Sequence, residues 1–208
     1  MPKIYLSPST QDWNMYVTGS GSEEYNMNLL ADALVPYLLS NGIQYQRNRP
    51  EMTAGSSIRE ANQGEYDLYL ALHSNAAPEG RYGEERGIIA FYYPGSVGGQ
   101  RAAELIAQEL RKIYPLPNKV TTRPTTSLGE VRQPRFPSVL LEIGSHDNYS
   151  DATWLEGHWD AIAQQIARGL TEYFGLPFIY PMDPMQGTVS VSNGTLNLRD
   201  YPSSSGKV

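Results

Sequence analysis

Two apolar runs constrain this chain more than anything else in it. Leu68-Tyr69-Leu70-Ala71-Leu72 and Val139-Leu140-Leu141 are each the length of a strand, do not alternate with polar residues, and lead into a residue with chemistry, His73 and Glu142 respectively. A strand that is apolar on both sides is buried on both faces, an arrangement commonest in parallel sheets flanked by helices. Sheets of that kind take ligands at the carboxyl ends of their strands. His73, one of three histidines in the chain, is followed by Ser74-Asn75-Ala76, small and polar residues that leave room for a ligand. A hydrogen-bonded structural histidine at a strand end carries the same signature, so this stretch alone does not decide between them.

Around the two runs, strand-like and helix-like segments alternate. Lys3 to Leu6 reads as a first strand, Ile43 to Arg47 as a second, and Gly87 to Tyr93 as a further one stopped by Pro94-Gly95. Ser22 is an N-cap signal for a helix with Glu23 and Glu24 in its first turn, where the helix dipole favours them. Its apolar face is Met27, Leu30, Ala31, Leu34 and Leu38, and Asn41-Gly42 closes it. Ser57 to Asn62 reads as a short helix; Ala103, Ile106, Leu110 and Ile113 mark another, stopped by Pro115. Residues 121 to 126 read as irregular. Trp159, Ile162, Ala163, Ile166, Leu170 and Phe174 give the last helix a wide apolar face.

This order predicts an α/β fold over residues 1–176: a mainly parallel, twisted sheet of five or six strands with helices on both faces. Residues 177–186 read as a proline-containing linker. Residues 187–208 alternate like two strands around Asn193-Gly194, a β-rich tail too short to build its own core.

Composition narrows the function. A net charge of -6 argues against non-specific nucleic-acid binding. The absence of cysteine excludes disulfides and thiolate ligands. No apolar run approaches the roughly 20 residues of a membrane span. Gly19 and Gly21 resemble part of a dinucleotide-binding motif, but the third glycine would fall at Glu24. Fifteen tyrosines, each with an apolar body and a polar tip, suit half-buried positions, some of them lining a groove for a polar polymer.

Three residues could then meet at one sheet edge. Glu23 lies on the core-facing stripe of its helix, four residues before Met27, whereas Glu24 points about 100° away. An inward carboxylate needs a partner, and a metal ion is one possibility. With His73 ending one strand and Glu142 near the end of another, an imidazole and a carboxylate could hold a zinc ion, which in catalytic sites takes three protein ligands and a water. The remaining carboxylate could serve as general base toward that water. Scattered structural residues are the competing reading.

Ordered motifs tip the balance, because over residues 3 to 175 the chain resembles the zinc-dependent N-acetylmuramoyl-L-alanine amidases, the type 3 cell-wall amidase family. Glu23, its helix and Gly42 resemble the family's metal-binding glutamate, helix and glycine. Arg59 through Asn62 resembles its short helix ending in Ala-Asn, and Leu72-His73-Ser74-Asn75-Ala76 its second histidine motif. Val131-Arg132 followed by Pro137 through Gly144 resembles the segment that carries the catalytic glutamate. The resemblance implies Zn2+ as cofactor, peptidoglycan as partner, and hydrolysis of the amide between N-acetylmuramic acid and L-alanine, with Glu142 as catalytic residue and Glu23 and His73 as metal ligands.

One position departs from the family. Thr10 stands where the first strand's loop would carry a histidine ligand. Gln11 offers an amide oxygen in its place, and His146 offers an imidazole with the parity of Glu142 if the strand continues. Gln11, Asn75 and Arg132 are expected to contact substrate, Arg132 by paired hydrogen bonds to a carboxylate or oxyanion. His158, beside Trp159, is expected to be structural or exposed. The tail from Gly187 is similar to the opening of a bacterial SH3 module. The expected setting is extracellular or in the cell wall, as a monomer without membrane insertion. Met1 to Leu6 is strand-like and has no signal-peptide character, which suggests phage-type or sporulation-associated release. Two other functions stay open: an inactive wall-binding module on the same fold, motivated by Thr10, and a zinc peptidase acting on the stem peptide.

Overall fold

The two apolar runs lie side by side at the centre of a six-stranded sheet in the computed structural model, which describes residues 1–182. The strands are β1 (Lys3–Pro8), β2 (Gln44–Arg47), β3 (Leu68–Asn75), β4 (Ile88–Tyr92), β5 (Val120–Pro124) and β6 (Ser138–Ser145). The helices are α1 (Glu23–Ser40), α2 (Ala54–Ala61), α3 (Val97–Leu110), α4 (Gly129–Arg132), α5 (Tyr149–Glu156) and α6 (Trp159–Phe174). Strand order is β2-β1-β3-β6-β4-β5. The first four run parallel; β4 is antiparallel to β6, and β5 is parallel to β4. The expected mainly parallel α/β sheet is therefore present.

The faces of the sheet are covered unequally. Ile4, Leu6, Leu68, Leu70, Leu72, Val139, Leu141 and Ile143 point to one face and pack under α1, α3 and α6 in a large, fully buried cluster. Leu30, Leu34 and Leu38 of α1 and Ile162, Ile166 and Leu170 of α6 lie in that cluster, as the helical spacing predicts. Tyr5, Tyr69, Ala71 and Leu140 point to the other face, where only the short α2 and α4 cover them through Ile58, Ala61 and Val131. This second face is thus closed over β1 and β3 and more open over β4 and β5, and His73 and Glu142 share the parity of this second face.

Some boundaries differ from the sequence reading. Residues 120–124, read as irregular, form the edge strand β5. Val-Thr-Thr-Arg-Pro has a single apolar side chain because one side of an edge strand faces water, so neither alternation nor an apolar run marks it. Helices α4 and α5 are too short to show a period. Helix α3 starts earlier than its apolar residues suggest, at Val97, with the Ser96 hydroxyl accepting from Gly99 N. Of the linker, residues 177–182 are described and carry no helix or strand; the SH3-like segment, residues 187–208, lies outside the described residues. No helix among the described residues is long and apolar enough to cross a membrane.

Candidate active site

Strand register builds the site before any side-chain chemistry is considered. His73 of β3 pairs with Glu142 of β6, Glu142 with Ile89 of β4, and Ile89 with Thr121 of β5. Directly paired residues share a face, so these four form a row across the open face at the carboxyl ends of β3 and β6.

His73 is clamped from both sides. Nδ1 donates to Glu23 Oε1 at 2.9 Å and Nε2 donates to Glu130 Oε2 at 2.8 Å. Glu23 is 1% exposed, as its place on the inward stripe of α1 predicts. Its other oxygen accepts from Asn14 Nδ2 at 2.8 Å, and Ser74 N donates to Oε1 at 3.3 Å. Glu130 Oε1 accepts from Ser7 Oγ and from the Tyr69 hydroxyl, both at 2.7 Å. Burial opposes the imidazolium, but the hydrogen bonds and charges of Glu130 and Glu23 outweigh it and hold the His73 pKa well above the ordinary value. Burial likewise opposes ionisation of Glu23 and Glu130, and the hydrogen bond and charge of His73 outweigh it and keep both carboxyls below their ordinary range.

Glu142 has the opposite environment. Its Oε2 is enclosed and has no hydrogen-bond partner. Burial, reinforced by the charges of Glu23 and Glu130 and opposed by that of His73, pushes its pKa up to about 7. Two kinds of carboxylate therefore stand side by side, one ionised and hydrogen-bonded, the other poised to exchange a proton near neutral pH.

The remaining residues singled out from the sequence are placed differently. Gln11 Nε2 lies 3.5 Å from His73 Nδ1, and Gln11 Oε1 accepts from Asn14 Nδ2 at 3.0 Å. The parity argument for His146 does not hold, because Gly144 adopts a φ of +67° and β6 ends at Ser145. His146 instead donates through Nδ1 to the Ser74 carbonyl at 3.0 Å and stacks on Tyr16 at 5.7 Å. Among the described residues, no hydrogen bond or ion pair joins it to Glu23, His73 or Glu142. Asn75 Oδ1 accepts from Ala76 N, and its carbonyl accepts from His146 N. Arg132 is exposed on α4. His158 donates to the Trp154 carbonyl and stacks on its ring, a structural role.

Glu130 escaped the sequence reading. It lies in Leu128-Gly129-Glu130-Val131-Arg132, where a four-residue helix offers no periodicity. The available signal was an acidic residue next to an apolar one just ahead of a buried strand, with Val131 needed for the core.

Two clefts flank the row. One, of about 600 Å³, is lined by Thr10, Gln11, Trp13, Glu51, Met52 and His73 among others. The second, of about 510 Å³, is lined by Asn75, Arg86, Ile89, Lys119, Thr121 and Arg123 among others. Arg132 lines neither.

The donor set suits a divalent cation in kind. Glu23 Oε1 lies 2.9 Å from His73 Nδ1, and the Gln11 amide nitrogen lies 3.5 Å from the same ring nitrogen with its oxygen turned to Asn14, so Gln11 would present a ligating oxygen by reversing its amide. Glu130 on Nε2 is the outer carboxylate that orients a metal-binding imidazole. Among the described residues, however, no three His, Asp or Glu side chains are grouped to hold a metal, so a third ligand has to come from a neutral group.

Comparison with known proteins places this geometry in a family. A sequence model described as N-acetylmuramoyl-L-alanine amidase matches residues 14–172. A germination-specific N-acetylmuramoyl-L-alanine amidase of Bacillus subtilis (strain 168) is 31% identical over 140 residues, covering 60% of this chain and 56% of the relative. The alignment thus spans little more than half the length of that curated relative. Among solved structures, the amidase AmiC2 of Nostoc punctiforme superposes with a TM-score of 0.73 at 17% identity, over 84% of this chain and 97% of that one. The catalytic domain of the amidase CwlV from Bacillus (Paenibacillus) polymyxa var. colistinus also gives 0.73 at 17% identity, over 85% and 100%. At such identities the structural likeness speaks for the fold.

Proposed function

Because the chain belongs to the N-acetylmuramoyl-L-alanine amidase family, we propose that it hydrolyses the amide joining the lactyl group of N-acetylmuramic acid to L-alanine in peptidoglycan. The observation that carries this reading is Glu142, an enclosed carboxyl with an unpartnered oxygen and a pKa near 7, next to a clamped carboxylate–imidazole pair. Glu23, His73 and Gln11 would hold a zinc ion, which when bound polarises a carbonyl and acidifies water. Glu130 fixes the His73 ring through Nε2, leaving Nδ1 directed at Glu23. Glu142 takes the proton of the attacking water on Oε2 and returns it to the departing alanine amine, two transfers that a group titrating near neutrality performs well in both directions. Asn14 bridges Glu23 and Gln11 through its amide nitrogen and so keeps both beside His73. Action outside the cell or in the wall follows from the polymer the enzyme would cut.

Zinc-supplied protein incubated with purified peptidoglycan is expected to release new L-alanine amino termini and no reducing sugar ends. Reducing ends, or amino termini of other residues, would contradict the reading. A second reading, an inactive wall-binding module, is favoured by Thr10 at the family's histidine position. Metal analysis separates the two: stoichiometric zinc that is lost in His73→Ala supports the enzyme, and metal-free protein that still pulls down with cell walls supports the module.

A further inference from the structure

The two clefts on either side of the catalytic row carry opposite charge. The cleft beside Gln11 has Asp12, Glu24 and Glu51 in its lining, no lysine or arginine, and the exposed indole of Trp13. The cleft beyond Ile89 is lined by Arg86, Lys119 and Arg123 against Glu85. Two of these four are already neutralised: Arg86 pairs with the buried Asp151 at 2.9 Å and Glu85 lies 3.7 Å from Arg81. Lys119 and Arg123 form no ion pair or side-chain hydrogen bond among the described residues.

Register directs one of these two cations. Residues 121 and 123 of β5 share one parity, and Thr121 is paired with Ile89, itself paired with Glu142. Thr121 and Arg123 therefore lie on the face that carries Glu142, and Lys119, in the 3-10 turn that ends where β5 begins, lines the same cleft. Thr121 Oγ1 is enclosed, so the exposed polar groups of this wall are the Lys119 and Arg123 side chains. Neighbouring strands are about 4.8 Å apart, which puts β5 roughly 10 Å from Glu142. An extended peptide advances about 3.5 Å per residue, so a carboxylate on the second residue after the scissile bond comes within reach of long Lys and Arg side chains.

We propose, resting on the amidase reading above, that this basic cleft is the stem-peptide subsite. In it Lys119 and Arg123 bind the free α-carboxylate of the residue that follows L-alanine, a glutamate linked onward through its side chain. The neutral sugar lies on the opposite side, where an exposed indole suits the face of a pyranose and the carboxylates of Asp12 and Glu24 repel a charged peptide, Glu51 being paired with Arg49 at 2.9 Å. The enzyme accordingly discriminates between walls in which that α-carboxyl is free and walls in which it is amidated.

Two muramyl peptides that differ only in that group, α-carboxylate against α-carboxamide, test the assignment. Wild type should show a KM about tenfold lower for the carboxylate, the size of one charge-assisted contact. The double variant Lys119→Ala/Arg123→Ala should lose that preference by a rise in KM with kcat unchanged, and should treat the carboxamide as wild type does. Both side chains are exposed, and a melting curve checks that the fold is kept. Equal KM values for the two substrates in wild type, or an equal loss on both in the variant, overturn the subsite. If wild type cleaves neither substrate, the amidase reading falls instead; calorimetry with the dipeptide L-alanyl-γ-D-glutamate then still decides, since binding abolished in the double variant supports the subsite and unchanged binding overturns it. Competition by inorganic phosphate at lower concentration than the dipeptide would also overturn it, in favour of a phosphate polymer.

Discussion

His73 is held by two carboxylates of unlike origin, Glu23 from the start of α1 and Glu130 from a single turn of helix. Glu130 touches neither water nor substrate in this account; it positions the ring. Glu130→Gln keeps an acceptor for Ser7 and Tyr69 but removes the charge facing Nε2. It is expected to lower zinc affinity and activity by about 10- to 100-fold and also to lower the melting temperature, because it removes one partner of a buried charge pair, and Glu130→Asp should recover part of each. Isothermal titration with zinc separates this from a merely structural role. Glu142 yields a prediction of opposite sign for stability. Its folded pKa, about 7, lies above its ordinary value of 4.5, so the folded state binds the proton more tightly than the unfolded chain. Keeping Glu142 ionised therefore costs stability fully above pH 7, progressively less on descending to about 4.5, and nothing below that range. The full cost is about 3 kcal/mol. In chelator, Glu142→Gln should melt several degrees above wild type at pH 8 and close to it at pH 4.5, while activity is lost. Equal melting temperatures at pH 8 would contradict the enclosed, charged Glu142. Glu23, His73 and Glu142 were legible in the sequence because each interrupts or ends an apolar pattern. Glu130 was not, because its turn has no pattern to interrupt.

Elements carry the site by how closely they pack. Helices α3 and α6 meet at Gly169, where an added Cβ would come 2.7 Å from the Ile106 Cα. Alanine would gain about 1 kcal/mol in helix propensity there, but it meets backbone that cannot turn aside. Overpacking of that kind costs about 1–3 kcal/mol, so Gly169→Ala is expected to lower the midpoint of urea unfolding, and a rise would contradict the packing. Gly87 is tighter still: its φ is +128° and a Cβ would lie 2.6 Å from the Lys119 carbonyl. Gly87→Ala should therefore disturb the junction of β4 and β5, and with it the basic cleft, more than the His73 clamp. A larger rise in KM than fall in kcat would report this. Long elements such as α1 and α6 were readable from their periodic apolar faces, as were the doubly buried β3 and β6. The edge strand β5 was not, and the parity that linked His146 to Glu142 is broken by the positive φ of Gly144, a turn that a run of strand-like residues does not announce.

At the scale of the molecule, function follows from unequal coverage of one sheet. Three long helices bury the first face completely. The second is roofed by α2 and α4 over its tyrosine-rich half, and the row from His73 to Thr121 emerges where the roof ends. A polymer can lie across such an open face, with its reacting bond over Glu142 and unlike chemical groups on either side. The α/β class and the site's location at the strand ends were readable because both follow from buried strands alternating with helices. The identity of the third metal donor was not, since it depends on which loop residue reaches Nδ1 of His73. Anomalous scattering at the zinc edge from crystals grown with zinc tests this account most directly. It predicts a single ion within coordination distance of Glu23, His73 and the Gln11 amide, close to Glu142; an ion coordinated by His146, or a His73–Glu23 pair that stays bare in zinc, would contradict it.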